Sequence, residues 1–142
     1  MNVSTQMTAG SGLPSTPVYF VAVSGTGVTG SVRPDYTGAP LYSAPPGLAL
    51  NPSAYAAPAA GHWGNAGRNT ITGPAAFTLN AAINRTFPFG DRWSLDIRVD
   101  AFNALNHPVF PGWVSTVTSA QFGLANTADP MRTMQTVVRV RF

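Results

Sequence analysis

From Phe77 onward the chain alternates, and a period of two fixes the backbone as strand because successive side chains of a strand point to opposite faces. Phe77, Leu79, Ala81, Ile83 and Phe87 hold odd positions and Thr78, Asn80, Asn84 and Thr86 even ones, with Ala82 and Arg85 the departures. After Pro88-Phe89-Gly90-Asp91, which has turn chemistry, the pattern resumes with Trp93, Leu95, Ile97, Val99 and Ala101 on one face and Ser94, Asp96, Arg98 and Asp100 on the other. A last run sets Met134, Thr136, Val138, Val140 and Phe142 against Gln135, Val137, Arg139 and Arg141.

These runs are long. Strands of ordinary sheets have about five or six residues, whereas a strand tilted across a bilayer needs roughly 9–11. The charged residues Asp96, Arg98, Asp100, Arg139 and Arg141 all lie opposite the apolar row, where a membrane barrel has its polar lumen. Periodicity alone fits equally well an antiparallel sheet with one wet face and the other packed on a soluble core. The connections favour the barrel, whose strands are joined by short turns on the periplasmic side and long loops outside. The expected order is a long loop (31–73), a strand down, a tight turn (88–91), a strand up, a long loop (106–130) and a strand down. It brings Phe87, Phe89, Trp93 and Phe142 to one level, where a periplasmic aromatic girdle belongs.

The expected fold class is therefore all-β, an antiparallel meander of about four long strands near 17–24, 75–87, 92–105 and 132–142. Residues 1–15 read as a tail or turn. Composition agrees: of 142 residues 9% are charged, against roughly a quarter in soluble domains. All eight basic residues are Arg and all five acidic ones Asp, so Lys and Glu, common on exposed helix faces, are absent. Mean hydropathy is +0.07, and no run of about 18 apolar residues forms a membrane helix. The net charge of +3 comes from dispersed Arg, which gives no basic patch for nucleic acid. The absence of Cys removes disulfides, thiol nucleophiles and Cys-based zinc sites.

Arg33-Pro34-Asp35, Gly64-Asn65-Ala66-Gly67-Arg68-Asn69, the segment Phe87–Phe110 with Phe102-Asn103-Ala104-Leu105-Asn106-His107-Pro108, then Phe122-Gly123 with Asp129-Pro130, and a terminal strand ending in Phe142 follow one another in this order. The ordered set resembles the C-terminal end of the TonB-dependent, Oar-like outer-membrane receptors, over roughly residues 15–142. The resemblance implies a large barrel with an N-terminal plug, located in the cell outer membrane, taking up a ligand with energy passed from an inner-membrane complex. It also implies that Val138, Val140 and Phe142 form the edge recognised by the barrel-assembly machinery. The plug, energy-coupling box and signal peptide of that family have no counterpart here, so the chain is expected to be a fragment or a truncated reading frame. The expected partners are outer-membrane lipid, the rest of the barrel with its plug, and the assembly machinery, with no nucleic acid.

No catalytic, cofactor-binding or metal site is expected. His62 and His107 lack neighbouring ligands at metal-binding spacing. Asp96 and Asp100 lie too far apart along a strand for a retaining glycosidase pair, and Arg98 between them favours ion pairs. Gly64–Asn69 lacks the Lys and the helix of a phosphate loop and reads as a turn. The expected role is the C-terminal barrel segment of such a receptor, supplying wall, outer loops and the assembly signal. The alternative is a secreted or surface all-β binding module that uses its Tyr- and Pro-rich loop. Four strands leave two open edges that hydrocarbon cannot satisfy, so the purified chain should leave a planar bilayer at baseline conductance. A stable channel formed by a single chain would refute this.

Overall fold

The computed structural model describes all 142 residues, 1–142. In chain order the strands are β1 (Asn2–Gly10), β2 (Pro14–Ser15), β3 (Asp35–Tyr36), β4 (Tyr55–Ala56), β5 (Ile71–Thr72), β6 (Ala76–Phe89), β7 (Trp93–Phe102) and β8 (Thr133–Arg141). There is no α-helix; a single 3-10 turn at Pro52–Ala54 starts where the Asn51 side chain accepts the Ser53 N–H at 3.0 Å. The residues divide into two units: Met1–Gly10 with Ala75–Val109 and Ala128–Phe142, and Ser11–Pro74 with Phe110–Thr127.

The first unit is an antiparallel sheet of four strands in the order β1-β6-β7-β8. Its register keeps the two rows of every strand apart. Ile83 faces Val3 on one side and Val99 on the other, and Val99 faces Thr136. Ile97 faces Val138, and Leu95 faces Val140. The opposite surface carries Gln6 opposite Asn80, Asn84 opposite Arg98, Asp100 opposite Gln135 and Asp96 opposite Arg139. A slip of one residue would exchange the rows. At one end the pairs Gly10–Ala76 and Phe102–Thr133 mark where the two long connections leave the sheet. At the other end only Gly90–Arg92 join β6 to β7, with Gly90 at φ +66°.

The second unit holds a small core of Leu50, Ala54, Tyr55, Ala66, Ile71 and Phe122, with Leu41, Trp113 and Val117 packed against it. Around it, β2 pairs with β5 and β3 with β4. Segments distant in sequence are stitched together by polar contacts. Asn65 N–H donates to the Asp35 carboxylate at 2.9 Å, Ala66 N–H to the Pro34 carbonyl at 3.0 Å, and the Arg33 guanidinium to the Ala66 carbonyl at 2.8 Å. Gly64 sits so close to this crossing that a Cβ there would collide with the Arg33 and Pro34 carbonyls. Phe122 enters the core, and Gly123, at φ +80°, accepts the Ala49 N–H at 2.8 Å.

Several sequence expectations need correction. Residues 1–15 are not a tail: they contain β1 and β2. The alternation of Val3, Thr5, Met7 and Ala9 is masked because two of its apolar-row members are the small or polar Ala9 and Thr5. Residues 17–24 form no strand; Val18 and Tyr19 make isolated bridges to Thr116 and Val32, and the Gly25 and Gly27 turns follow at positive φ. The stretch 31–73 is not one structureless loop but contains β3, β4, β5 and the 3-10 turn. Pro88 and Phe89 end β6 instead of opening the turn, and β7 stops at Phe102, not at 105.

Gly64→Ala should destabilise the folded protein by about 1–3 kcal/mol, the usual cost of overpacking, because backbone rather than a flexible side chain blocks the added methyl. Gly10→Ala, which meets open space, should stay within about 0.5 kcal/mol of the parent. Urea unfolding of the two variants beside the parent checks both values.

Candidate membrane-facing surface

A sheet face packed on a soluble core would be covered. This one is bare. Val3, Met7, Ile83, Trp93, Met134, Val138 and Val140 are all exposed on the apolar row, and Val109 is the only buried apolar residue of the sheet unit. An apolar surface this continuous, one strand after another, is the mark of a face that meets a membrane or a partner. The strands are 9, 14, 10 and 9 residues long, against the roughly 9–11 that span a bilayer at a tilt.

The other face is polar and internally paired. Arg98 forms a two-pronged ion pair with Asp100, two residues along the same strand, at 2.8 Å. Arg141 reaches Asp96 at 2.8 Å, one step diagonally from the directly opposed Arg139. Thr86 donates to the same Asp96 carboxylate from β6. The five charged residues singled out from sequence, Asp96, Arg98, Asp100, Arg139 and Arg141, therefore share one surface.

Phe87, Phe89, Trp93 and Phe142 come together at the turn end. Phe89 is directly opposite Trp93, and the Trp93 and Phe142 rings lie 5.5 Å apart in a tilted arrangement. A hollow lined by Phe89, Trp93, Ser94, Leu95 and Val140 continues the patch. Arg85, the one charge on the apolar row, lays its guanidinium 4.7 Å from the Phe87 ring centre, a cation–π contact that lets a long side chain cover apolar surface. Val138, Val140 and Phe142 lie along β8 and just beyond it, 60%, 53% and 91% exposed, and β8 pairs on one side only.

Sequence reasoning missed a polar knot at the end of β7. Asn103 is buried and sits in the left-handed region at φ +49°. Its N–H donates to the Asn80 side chain at 3.0 Å, its Nδ2 to the His107 carbonyl at 2.8 Å, and its Oδ1 accepts the His107 N–H at 3.0 Å. Asn106, also left-handed, accepts the Arg132 N–H at 3.1 Å. The strand end is thus built by Asn103, while the His107 ring stands edge-on to Phe77 at 6.5 Å. Two Asn residues three apart at a strand end were the available signal, since Asn tolerates the left-handed region. His62 lies elsewhere, its N–H closing a turn on Ala59. In Gly64–Asn69 the Asn65 and Ala66 amides are already committed within the unit, so these donors do not cradle a phosphate.

A family model described as an outer membrane beta barrel domain matches residues 2–135. The chain belongs to that family. The match takes in β1, β6 and β7 and ends at the start of β8, and it places this barrel-domain protein in the cell outer membrane. No curated protein and no solved structure matches the chain.

For a barrel wall, Arg introduced at Ile97 on the apolar row should cost about 2–4 kcal/mol near the bilayer midplane. Gln135→Arg, facing Asp100 on the polar row, should cost close to nothing. Folding equilibria in lipid vesicles, with the substitutions carried in a barrel whose further strands pair β1 and β8, measure the difference; equal costs would show that the rows do not face lipid and lumen.

Proposed function

We propose that the chain is the C-terminal barrel segment of a TonB-dependent-type, Oar-like outer-membrane receptor. The observation that carries the barrel role is the bare apolar face over an ion-paired polar one; the finer identity rests on the ordered motifs. Arg33-Pro34-Asp35 and Gly64-Asn65-Ala66, separated in sequence, are bonded to each other, so these motifs act as one structural element.

The mechanism is passive. β1, β6, β7 and β8 supply wall, with Val3, Ile83, Ile97 and Val138 toward lipid and Asp96, Arg98, Asp100, Arg139 and Arg141 toward the lumen. Phe87, Phe89 and Trp93 form the aromatic girdle at the periplasmic interface, the level of the tight turn. The connections between β1 and β6 and between β7 and β8 supply outer ligand surface. The free edges of β1 and β8 pair with further strands of the barrel, a plug fills the lumen, and Val138, Val140 and Phe142 present the last strand to the barrel-assembly machinery. The role is structural and transport-type, with no catalytic step assigned to any residue. The reading as a secreted binding module loses ground, because a soluble module would cover its apolar face.

Deleting Phe142 from the full-length parent should lower its yield in outer-membrane fractions several-fold, and Phe142→Tyr should restore most of it. Quantitative immunoblotting of heat-modifiable barrel provides the readout. Undiminished yield on deletion would remove the assembly role.

A further inference from the structure

Within the loop unit three tyrosines converge on one cavity of about 510 Å³, inside the ~300–1,000 Å³ range of small-molecule sites. Tyr36, Leu41, Tyr42, Tyr55, Asn65 and Thr70 line it. Tyr55 is the floor, 7% exposed, with its ring edge-on to Phe122 at 5.9 Å and tilted against Tyr36 at 6.0 Å. Tyr36 and Tyr42, 46% and 56% exposed, form the rim.

The polar groups are held in place before any ligand arrives. The Tyr36 hydroxyl donates to the Ala39 carbonyl at 3.1 Å, and the Tyr42 hydroxyl accepts the Thr72 N–H at 2.7 Å. Asn65 is fixed from both sides: its Oδ1 accepts the Tyr36 N–H at 2.6 Å and its own N–H donates to Asp35 at 2.9 Å. Its Nδ2 donors remain for a ligand. No Arg, Asp or His lines the cavity. Burial pushes the Tyr55 phenol above its ordinary value of 10.0, an effect eased by the neighbouring Thr70 hydroxyl, so this group too is neutral at physiological pH.

We propose that this cavity binds a neutral saccharide unit, stacked on the Tyr36 and Tyr42 rim and hydrogen-bonded by Asn65 and Thr70. A sugar presents flat C–H faces that suit exposed phenol rings, and hydroxyls that both donate and accept, matching carboxamide and hydroxyl partners. A charged ligand would be desolvated here without a counter-charge. A wholly apolar one would leave the oriented Asn65 donors unpaired. The inference rests on the reading above that these connections form the outer ligand surface, and it specifies what that surface holds.

The test is calorimetric titration of the full chain, refolded in detergent micelles, with maltotriose, cellotriose and chitotriose, and with indole and an oligoglucuronate as apolar and acidic probes. At least one neutral trisaccharide should bind saturably and more tightly than either other probe. Asn65→Asp preserves an acceptor for Tyr36 N–H but removes the free donors and adds a negative charge near Asp35, so it should weaken that binding about tenfold, or 1.4 kcal/mol. Tyr36→Leu should do the same, and Tyr36→Phe should retain the affinity. Near-ultraviolet circular dichroism confirms that each variant is folded. Absence of binding by all three sugars, preference for indole or oligoglucuronate, or affinity unchanged in both Asn65→Asp and Tyr36→Leu would overturn the proposal. Surface labelling of the full-length parent at Tyr42→Cys reads the outer-surface assignment separately: binding without labelling fails that assignment alone, and labelling without binding fails the saccharide site alone.

Discussion

Hydrocarbon offers no hydrogen bonds, so a polypeptide that crosses it must pair its backbone with itself while turning apolar side chains outward. The four-stranded sheet meets the second demand along most of its apolar row and the first in part. Each inner strand, β6 and β7, is paired on both sides, whereas β1 and β8 are each paired on one. Because one register slip would carry Asp96, Arg98 and Asp100 onto the apolar face, the pairing of Ile97 with Val138 and of Leu95 with Val140 is specified by the environment as much as by hydrogen bonds. The remaining edge groups are what further strands of a barrel would satisfy.

The same demand explains where the core lies. Side chains that face lipid in the proposed barrel leave little to bury among themselves, and the compact apolar cluster forms in the connections around Leu50, Ile71 and Phe122. Segments rich in Gly and Pro suit that role because their backbones approach closely. Gly64 crosses the Arg33 and Pro34 carbonyls, and Gly123 lies against Leu50. Polar stitches such as Asp35 to the Asn65 amide then fix crossings that few apolar contacts could hold.

The sheet's strands β6, β7 and β8 were legible because each carries large apolar residues against Asn, Thr, Asp or Arg for about ten residues, a signal no helix imitates. β1 was not, because Thr5 and Ala9 contribute too little contrast; its strand state is imposed by pairing with β6, a tertiary effect that local pattern omits. The opposite error arose at Pro17–Ser24, where β-branched and aromatic residues suggest a strand but Val18 and Tyr19 serve as single bridges within the loop unit. Shared faces could be read from parity alone, which is why the charged row was found residue by residue. The Tyr cavity could not, since Tyr36, Tyr42 and Tyr55 meet only through the folding of separate loop segments.

Arg85 shows why parity is not the whole rule. It stands on the apolar row between Ile83 and Phe87, where an unaccompanied charge at the bilayer centre would be costly. Its place is near the turn end, four residues before Phe89 closes β6, and its guanidinium lies over the Phe87 ring. From there a long side chain can keep its stem on apolar surface and its charge at the water boundary. In the barrel proposed above, the break in the alternation would mark the depth at which lipid gives way to water, at the level of Phe87, Phe89 and Trp93. On that reading the exception and the aromatic cluster are two responses to one boundary: a ring with an apolar body suits the interface from the lipid side, and a charge on a flexible stem suits it from the water side.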